Sequence, residues 1–262
     1  MAFVEINGHR IEYADIPAAR RGAAVLVLLH EGLGSLAMWR DFPKKLARAT
    51  ACRTVTYSRW GYGRSDRFPG PRDPRYMHRE ALDELPALRA ALAIDDPVLV
   101  GHSDGASIAL IHAGAGRWPV RGMILEAPHV FVEDVSIAGI EEAKHAYEDE
   151  GFKRRLARYH ADVEGAFRGW NDVWLSPEFR AWNVEDCLPG VVCPILAIQG
   201  LDDQYGTVAQ INAIGRQVKG PFEKLILEDC MHAPHRDQED DALAAMAGFV
   251  DELESARRTA RR

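Results

Sequence analysis

The run Val25-Leu26-Val27-Leu28-Leu29 carries no polar side chain. With Ala23 and Ala24 it is the longest apolar stretch in the chain, and it is far too short to span a bilayer. A short, continuous, β-rich run suits a strand buried on both faces, as in a parallel sheet. Similar runs recur at Arg53–Tyr57, Val98–Val100, Gly122–Leu125, Ile195–Ile198 and Lys224–Leu227. Helical patterns lie between them, at Met38–Ala49, Tyr76–Ala93, Ala106–Ala113, Val208–Val218 and Asp241–Ala256. The second of these places Leu82, Leu85, Leu88 and Leu92 on one face. Strands alternating with helices predict an α/β architecture, a mostly parallel sheet covered on both sides. At the N-terminus Phe3–Ile6 and Arg10–Tyr13 alternate around Asn7-Gly8, the pattern of a β-hairpin.

One segment departs from this rhythm. From Glu133 to Pro189 there is no strand signal, and the sequence is helical and rich in aromatics: Tyr147, Phe152, Tyr159, Phe167, Trp170, Trp174, Phe179 and Trp182. It reads as a helical insertion between two core strands. The expected division is a core of residues 1–132 and 190–262 with the insertion at 133–189. Most of the aromatics are expected to pack the insertion onto the core, and two or three to face a pocket.

Bulk properties exclude several function classes. The net charge of −7 argues against a nucleic-acid or anionic-membrane partner. Cys52, Cys187, Cys193 and Cys230 form neither a CxxC pair nor a zinc-finger spacing, so they read as reduced structural thiols, and no metal is expected. Residues Met1–Arg10 lack the basic and apolar regions of a signal peptide, which gives a cytoplasmic expectation. The basic end, Arg257 to Arg262, reads as a solvated helix end.

The most specific chemical signal is Gly101-His102-Ser103-Asp104-Gly105, preceded by an apolar strand and followed by a helix of small residues. In that context G-x-S-x-G marks a sharp strand-to-helix turn presenting a nucleophilic serine. A serine hydroxyl needs a general base and an acid that orients it. Downstream, Gly200-Leu201-Asp202-Asp203 ends a strand in two aspartates. Asp203 is preferred as the acid, with Asp202 in reserve. After the last strand comes Met231-His232-Ala233-Pro234-His235, where His232 is the expected base and His235 its rival. An oxyanion hole requires backbone N–H groups. One is expected from Asp104 and the other from the loop His30-Glu31-Gly32-Leu33-Gly34-Ser35, at Gly32, with Glu31 and Leu33 as alternatives. His30 reads as bracing that loop. Glu31 is expected to point away or to pair with Arg59 or Arg64.

These motifs resemble those of the α/β-hydrolase superfamily, particularly its small esterase, proline-iminopeptidase and meta-cleavage-product hydrolase branches. Leu29-His30-Glu31-Gly32 is similar to the family's HG oxyanion segment, with glutamate where glycine is common. Ser58 to Ser65 is similar to its G-x-G-x-S turn, Gly101–Gly105 to its nucleophile elbow, and Gly200–Asp203 and Met231-His232 to its acid and base loops. The resemblance implies an eight-stranded, mostly parallel sheet with helices on both faces and a helical cap formed by the insertion. It implies a cofactor-free serine hydrolase, with the triad Ser103, Asp203 and His232 and an acyl-enzyme intermediate, and makes Glu126, at the end of Gly122–Leu125, a second reserve acid, since some members of the family take their acid from that strand. Glu31, Leu33, His102, Trp170, Trp174 and Trp182 are the expected substrate contacts. The expected partner is a small, largely apolar ester, with a monomer or homodimer as the assembly. Alternatives are C–C bond hydrolysis of a substrate acid held by Arg64 or Arg236, an amidase or aminopeptidase, and a non-catalytic small-molecule-binding protein. Ser103 at the elbow argues against epoxide hydrolases and haloalkane dehalogenases, which resemblance would give an aspartate there.

Overall fold

A computed structural model describes residues 1–260. The strands are β1 (Ala2–Ile6), β2 (His9–Ile16), β3 (Val25–Leu29), β4 (Arg53–Tyr57), β5 (Val98–His102), β6 (Gly122–Glu126), β7 (Ile195–Gly200) and β8 (Phe222–Leu227). They form one eight-stranded sheet in the order β1-β2-β4-β3-β5-β6-β7-β8. The pairings β1–β2 and β2–β4 are antiparallel, and all others are parallel. Each apolar run of the sequence lies in a strand, and β5, β6 and β7 are buried along their whole length. The edge strand β8 exposes Glu223 and Lys224, whose charges discourage pairing with another chain. In the β1–β2 hairpin Ile6 pairs with His9, leaving Asn7 (φ 50°) and Gly8 (φ 83°) as a two-residue turn. Positive φ at both positions is what Asn-Gly supplies at low cost.

Two helical patterns are interrupted. The stretch Met38–Ala49 divides into a 3-10 turn, Leu36–Trp39, and α1, Phe42–Thr50. Arg40, at φ 53°, breaks the path between them, and Pro43 sits in the first turn of α1, where its missing N–H costs nothing. The stretch Tyr76–Ala93 is α2 (Tyr76–Arg79), a π-helical turn (Glu80–Glu84) and α3 (Leu85–Ala91). Pro86 cannot donate to the Leu82 carbonyl, and the wider π turn absorbs that missing bond.

The helix α4 (Asp104–Gly114) follows β5 directly and is buried from Asp104 through Ala113. Between β6 and β7 stand α5 (Asp134–Tyr147), α6 (Glu150–Leu156) and α7 (Val163–Trp174), then 3-10 turns at Pro177–Ala181 and Glu185–Gly190. Asp149 and Asp162 cap α6 and α7 by accepting from the free backbone N–H groups of their first turns. The aromatics of this segment pack mainly on one another. Tyr147 stacks on Phe167 with centroids 3.7 Å apart, and Trp182 stacks on Phe179 at 5.2 Å. The chain closes with α8 (Val208–Gln217), α9 (Pro234–Asp237) and α10 (Glu239–Ala260). All four cysteines are free. Among the described residues no helix is long and apolar enough to cross a membrane.

Candidate active site

The carboxyl ends of β3, β5, β6, β7 and β8 converge on one pocket of about 130 Å³. Crevices at the carboxyl ends of parallel strands are where open α/β sheets bind ligands. Ser103, at the β5–α4 junction, has φ 54° and ψ −118°, a strained conformation for a residue with a side chain. The turn is possible because its neighbours are glycines. A Cβ on Gly101 would strike the Ala106 backbone, and one on Gly105 would strike the Leu29 carbonyl. Ser103 lines the pocket while its own N–H donates to the Glu126 carbonyl at 2.9 Å.

His232 lines the same pocket from the loop after β8. Its Nδ1 lies 2.8 and 2.9 Å from the two carboxylate oxygens of Asp203. This contact makes Nδ1 the donor, so in the neutral ring Nε2 is the acceptor. Asp203 Oδ1 also accepts from the N–H groups of Tyr205 (2.8 Å) and Gly206 (3.3 Å), and Oδ2 from Gln199 Nε2 (2.7 Å). Burial pushes the Asp203 carboxyl upward, but His232 and these donors overcome it and hold the group down at about 2. Asp203 is therefore an ionised, fully engaged carboxylate. Asp202 is exposed, and its N–H bonds the Cys230 carbonyl. The other reserve acid, Glu126, pairs with the rival histidine, His235, at 2.9 Å, both buried.

The peptide joining Glu31 to Gly32 is held by its carbonyl. Glu31 O accepts from His30 Nδ1 at 2.7 Å and from Arg59 Nη2 at 2.7 Å. His30 Nε2 accepts the Arg59 N–H at 3.0 Å, which fixes the tautomer, and burial together with Arg59 keeps the ring neutral. A trans peptide directs N–H opposite to C=O, so pinning the carbonyl orients the Gly32 N–H. Gly32 lines the pocket, and a Cβ there would overlap the Trp170 indole. Asp104 begins α4, so its N–H has no partner within the helix. Its carboxylate accepts from Tyr76 Oη at 2.6 Å and lies 3.6 Å from Arg59.

The structure corrects several expectations. The Glu31 carboxylate pairs with neither Arg59 nor Arg64. It lines the pocket and lies 3.5 Å from His102 Nδ1, because Arg59 is spent on the Glu31 carbonyl and on Asp104. His102 is absent from the pocket wall, since its ring turns under the base loop and its Nε2 donates to the His232 carbonyl at 2.7 Å. Trp182 is absent too, held in the stack on Phe179. Leu33, Trp170 and Trp174 do line the pocket. Arg64 and Arg236 do not.

His129, Phe152 and Tyr205 also line it, and none belongs to a motif. Burial and the nearby His232 push His129 down to about 3, so it is a neutral ring. Its place just past the carboxyl end of β6 is the one signal that could have drawn attention to it. Tyr205 packs edge-on against His232, with centroids 4.7 Å apart. Among the described residues no group of three or more His, Cys, Asp or Glu side chains could hold a metal ion.

A parallel sheet ending in a strained serine turn, with an Asp–His pair on the same crevice, defines a hydrolase of the α/β class. The chain belongs to the alpha/beta hydrolase family, whose model matches residues 26–246. It is 28% identical to a proline iminopeptidase of Heyndrickxia coagulans over 291 aligned positions, 96% of this chain and 98% of that one. A haloalkane dehalogenase of Mycolicibacterium smegmatis is 33% identical over 128 residues, 47% of this chain and 38% of that one. Among solved structures, one from a study of carboxylesterases of Nitrososphaera gargenis matches with a TM-score of 0.79 at 18% identity. The match covers 97% of this chain and all of that one. The enol-lactonase of Burkholderia xenovorans LB400 matches at 0.72 with 20% identity, over 97% of this chain and all of that one.

Proposed function

We propose that this protein is a serine hydrolase that cleaves a carboxylic ester of a small, largely apolar substrate through an acyl-enzyme on Ser103. The observation that carries this reading is a shared pocket. Ser103, in its strained turn, and His232, oriented by Asp203, open onto it together. His232 Nε2 takes the Ser103 proton as Oγ attacks the ester carbonyl. The Gly32 and Asp104 N–H groups bind the developing oxyanion, and the ionised Asp203 stabilises the imidazolium. His232 then protonates the leaving alkoxide. Water, deprotonated by His232 in turn, attacks the acyl-enzyme and releases the acid and free Ser103. Each step balances without a metal or organic cofactor.

Residues 133–189 act as a cap over a core of 1–132 and 190–262, with Ile140, Phe152, Trp170 and Trp174 supplying an apolar roof. The pocket's size limits the substrate. A cavity of about 150 Å³ holds a benzene ring, and this one is about 130 Å³. An acyl group of about four carbons fits such a space, and one of about eight would extend beyond it. The wall offers a carboxylate, Glu31, and no lysine or arginine among the described residues, which disfavours a C–C hydrolase that must hold a substrate acid. Ser103 at the elbow separates the chain from an aspartate-dependent dehalogenase.

A second reading, an aminopeptidase, is favoured by Glu31 in the wall and by the relative named proline iminopeptidase. The ester reading stands ahead of it because His102 already faces the Glu31 charge. The test is steady-state hydrolysis of p-nitrophenyl esters of increasing acyl length, beside prolyl p-nitroanilide, in wild type and Ser103→Ala. A short-chain optimum that vanishes in the variant supports the proposal. Exclusive turnover of the anilide moves the assignment to the aminopeptidase, and equal ester turnover by Ser103→Ala removes the serine mechanism.

A further inference from the structure

The mechanism above gives no task to Glu31 or His102, two charged groups beside the nucleophile. We propose that the Glu31–His102 ion pair is a clamp that fixes the oxyanion loop and the base loop onto the nucleophile elbow, making both positioning residues for acyl transfer. This rests on the reading of Ser103, His232 and Gly32 given above.

His102 is the residue before Ser103, and its ring reaches two other loops. Nε2–H donates to the backbone carbonyl of His232 at 2.7 Å, and Nδ1 faces Glu31 Oε2 at 3.5 Å. Glu31 in turn precedes Gly32, and its own carbonyl is held by His30 and Arg59. One imidazole thus connects the residue adjoining the oxyanion donor, the residue adjoining the nucleophile and the backbone of the base.

A cationic ring suits both contacts, a hydrogen bond to the His232 carbonyl and a charge–charge contact with Glu31. With Nε2–H committed to a carbonyl, a neutral ring would aim its Nδ1 lone pair at a carboxylate. Only the imidazolium also turns an N–H toward the carboxylate, which at 3.5 Å it meets as an ion pair and not as a hydrogen bond. The groups around it fit that state. Glu31 faces it from the oxyanion loop, and Glu126 is its register partner on β6. His232 and His235 approach from the base loop, each with ring centroids 5.1 Å away, and they are engaged by Asp203 and Glu126 respectively. His129, pushed down to about 3, adds no positive charge. Burial opposes the cation, but the two carboxylates and the His232 carbonyl hold His102 up at about 9. His102 likewise keeps Glu31 ionised well below the usual carboxylate range, against its own burial. The cation also offsets a carboxylate that would otherwise oppose the oxyanion beside Gly32.

The sign of the pH effect follows. Below pH 9 the clamp is charged, and as pH rises through about 9 it is lost. Glu31→Gln and His102→Gln remove the charge while keeping hydrogen-bonding atoms, the second retaining a donor near the Nε2 position. With p-nitrophenyl acetate, both variants are expected to lower kcat by roughly 10-fold with KM nearly unchanged, since small misplacements of catalytic groups act on the chemical step. Wild type is expected to lose kcat as pH rises through about 9, and both variants should lack that fall.

NMR titration of the His102 ring in the Ser103→Ala protein reads the pair without turnover. It should protonate near pH 9, and Glu31→Gln should lower that value. The clamp is overturned if the ring titrates at or below the ordinary 6.5. It is equally overturned if folded variants keep the wild-type kcat, or lose rate but retain the alkaline fall. Should a variant not fold, the titration still decides. The serine reading fails by a different result, ester hydrolysis by Ser103→Ala at the wild-type rate.

Discussion

At the residue scale the site is a set of commitments that leave few atoms free. Every oxygen of Asp203 is engaged, two contacts go to His232, and the imidazole is left with one tautomer. Asp203→Asn would preserve the shape but offer an amide N–H to Nδ1 and so favour the wrong tautomer. The expected outcome is a fall in kcat of about 10⁴-fold with little change in folding, checked by ester kinetics and circular dichroism. Ser103, Asp203 and His232 were legible because each stands in a short motif at the end of a strand, where spacing carries meaning. Glu31 shows the opposite case. The sequence suggests that it points away or pairs with Arg59 or Arg64 on the neighbouring turn, but a buried arginine goes where several acceptors converge, here the Glu31 carbonyl and Asp104. That choice depends on three loops meeting, which no local pattern encodes. His129 and Tyr205 were not legible for the same reason.

At the element scale, the strands could be read from apolar runs because burial on both faces leaves a dense, local signature. The helices were legible as existing but less so in detail. The π turn at Glu80–Glu84 and the break at Arg40 arise from Pro86 and from a positive φ that periodicity does not report. The elements are then tied by polar bonds across sequence. Trp174 of α7 donates to Tyr76 Oη at 3.0 Å, and Tyr76 of α2 donates to Asp104 of α4 at 2.6 Å. Arg59 stands behind Asp104. This chain links the helical segment whose side chains line the pocket to the helix that follows Ser103. Tyr76→Phe leaves an indole N–H and a carboxylate oxygen unpartnered in the interior. It should cost about 1–3 kcal/mol, read as a lower urea midpoint at unchanged slope.

At the scale of the whole molecule, the sheet does what its topology permits. Parallel strands bring their carboxyl ends to one rim, and the loops there supply every group used in the proposed chemistry. The antiparallel pair β1 and β2 extends the sheet on the far side from β8 and contributes nothing to the pocket wall. Fold class was therefore legible from alternation alone, while the pocket's size depends on side chains that the segment between β6 and β7 adds to its wall. The proposed chemistry makes Ser103 a nucleophile activated by His232. The most direct measurement is intact-mass and peptide mapping after brief exposure to a fluorophosphonate. One adduct per chain is expected on the peptide bearing Ser103, absent in Ser103→Ala and formed much more slowly in His232→Ala. A folded wild-type protein that takes no label, or takes it on another residue, would contradict it.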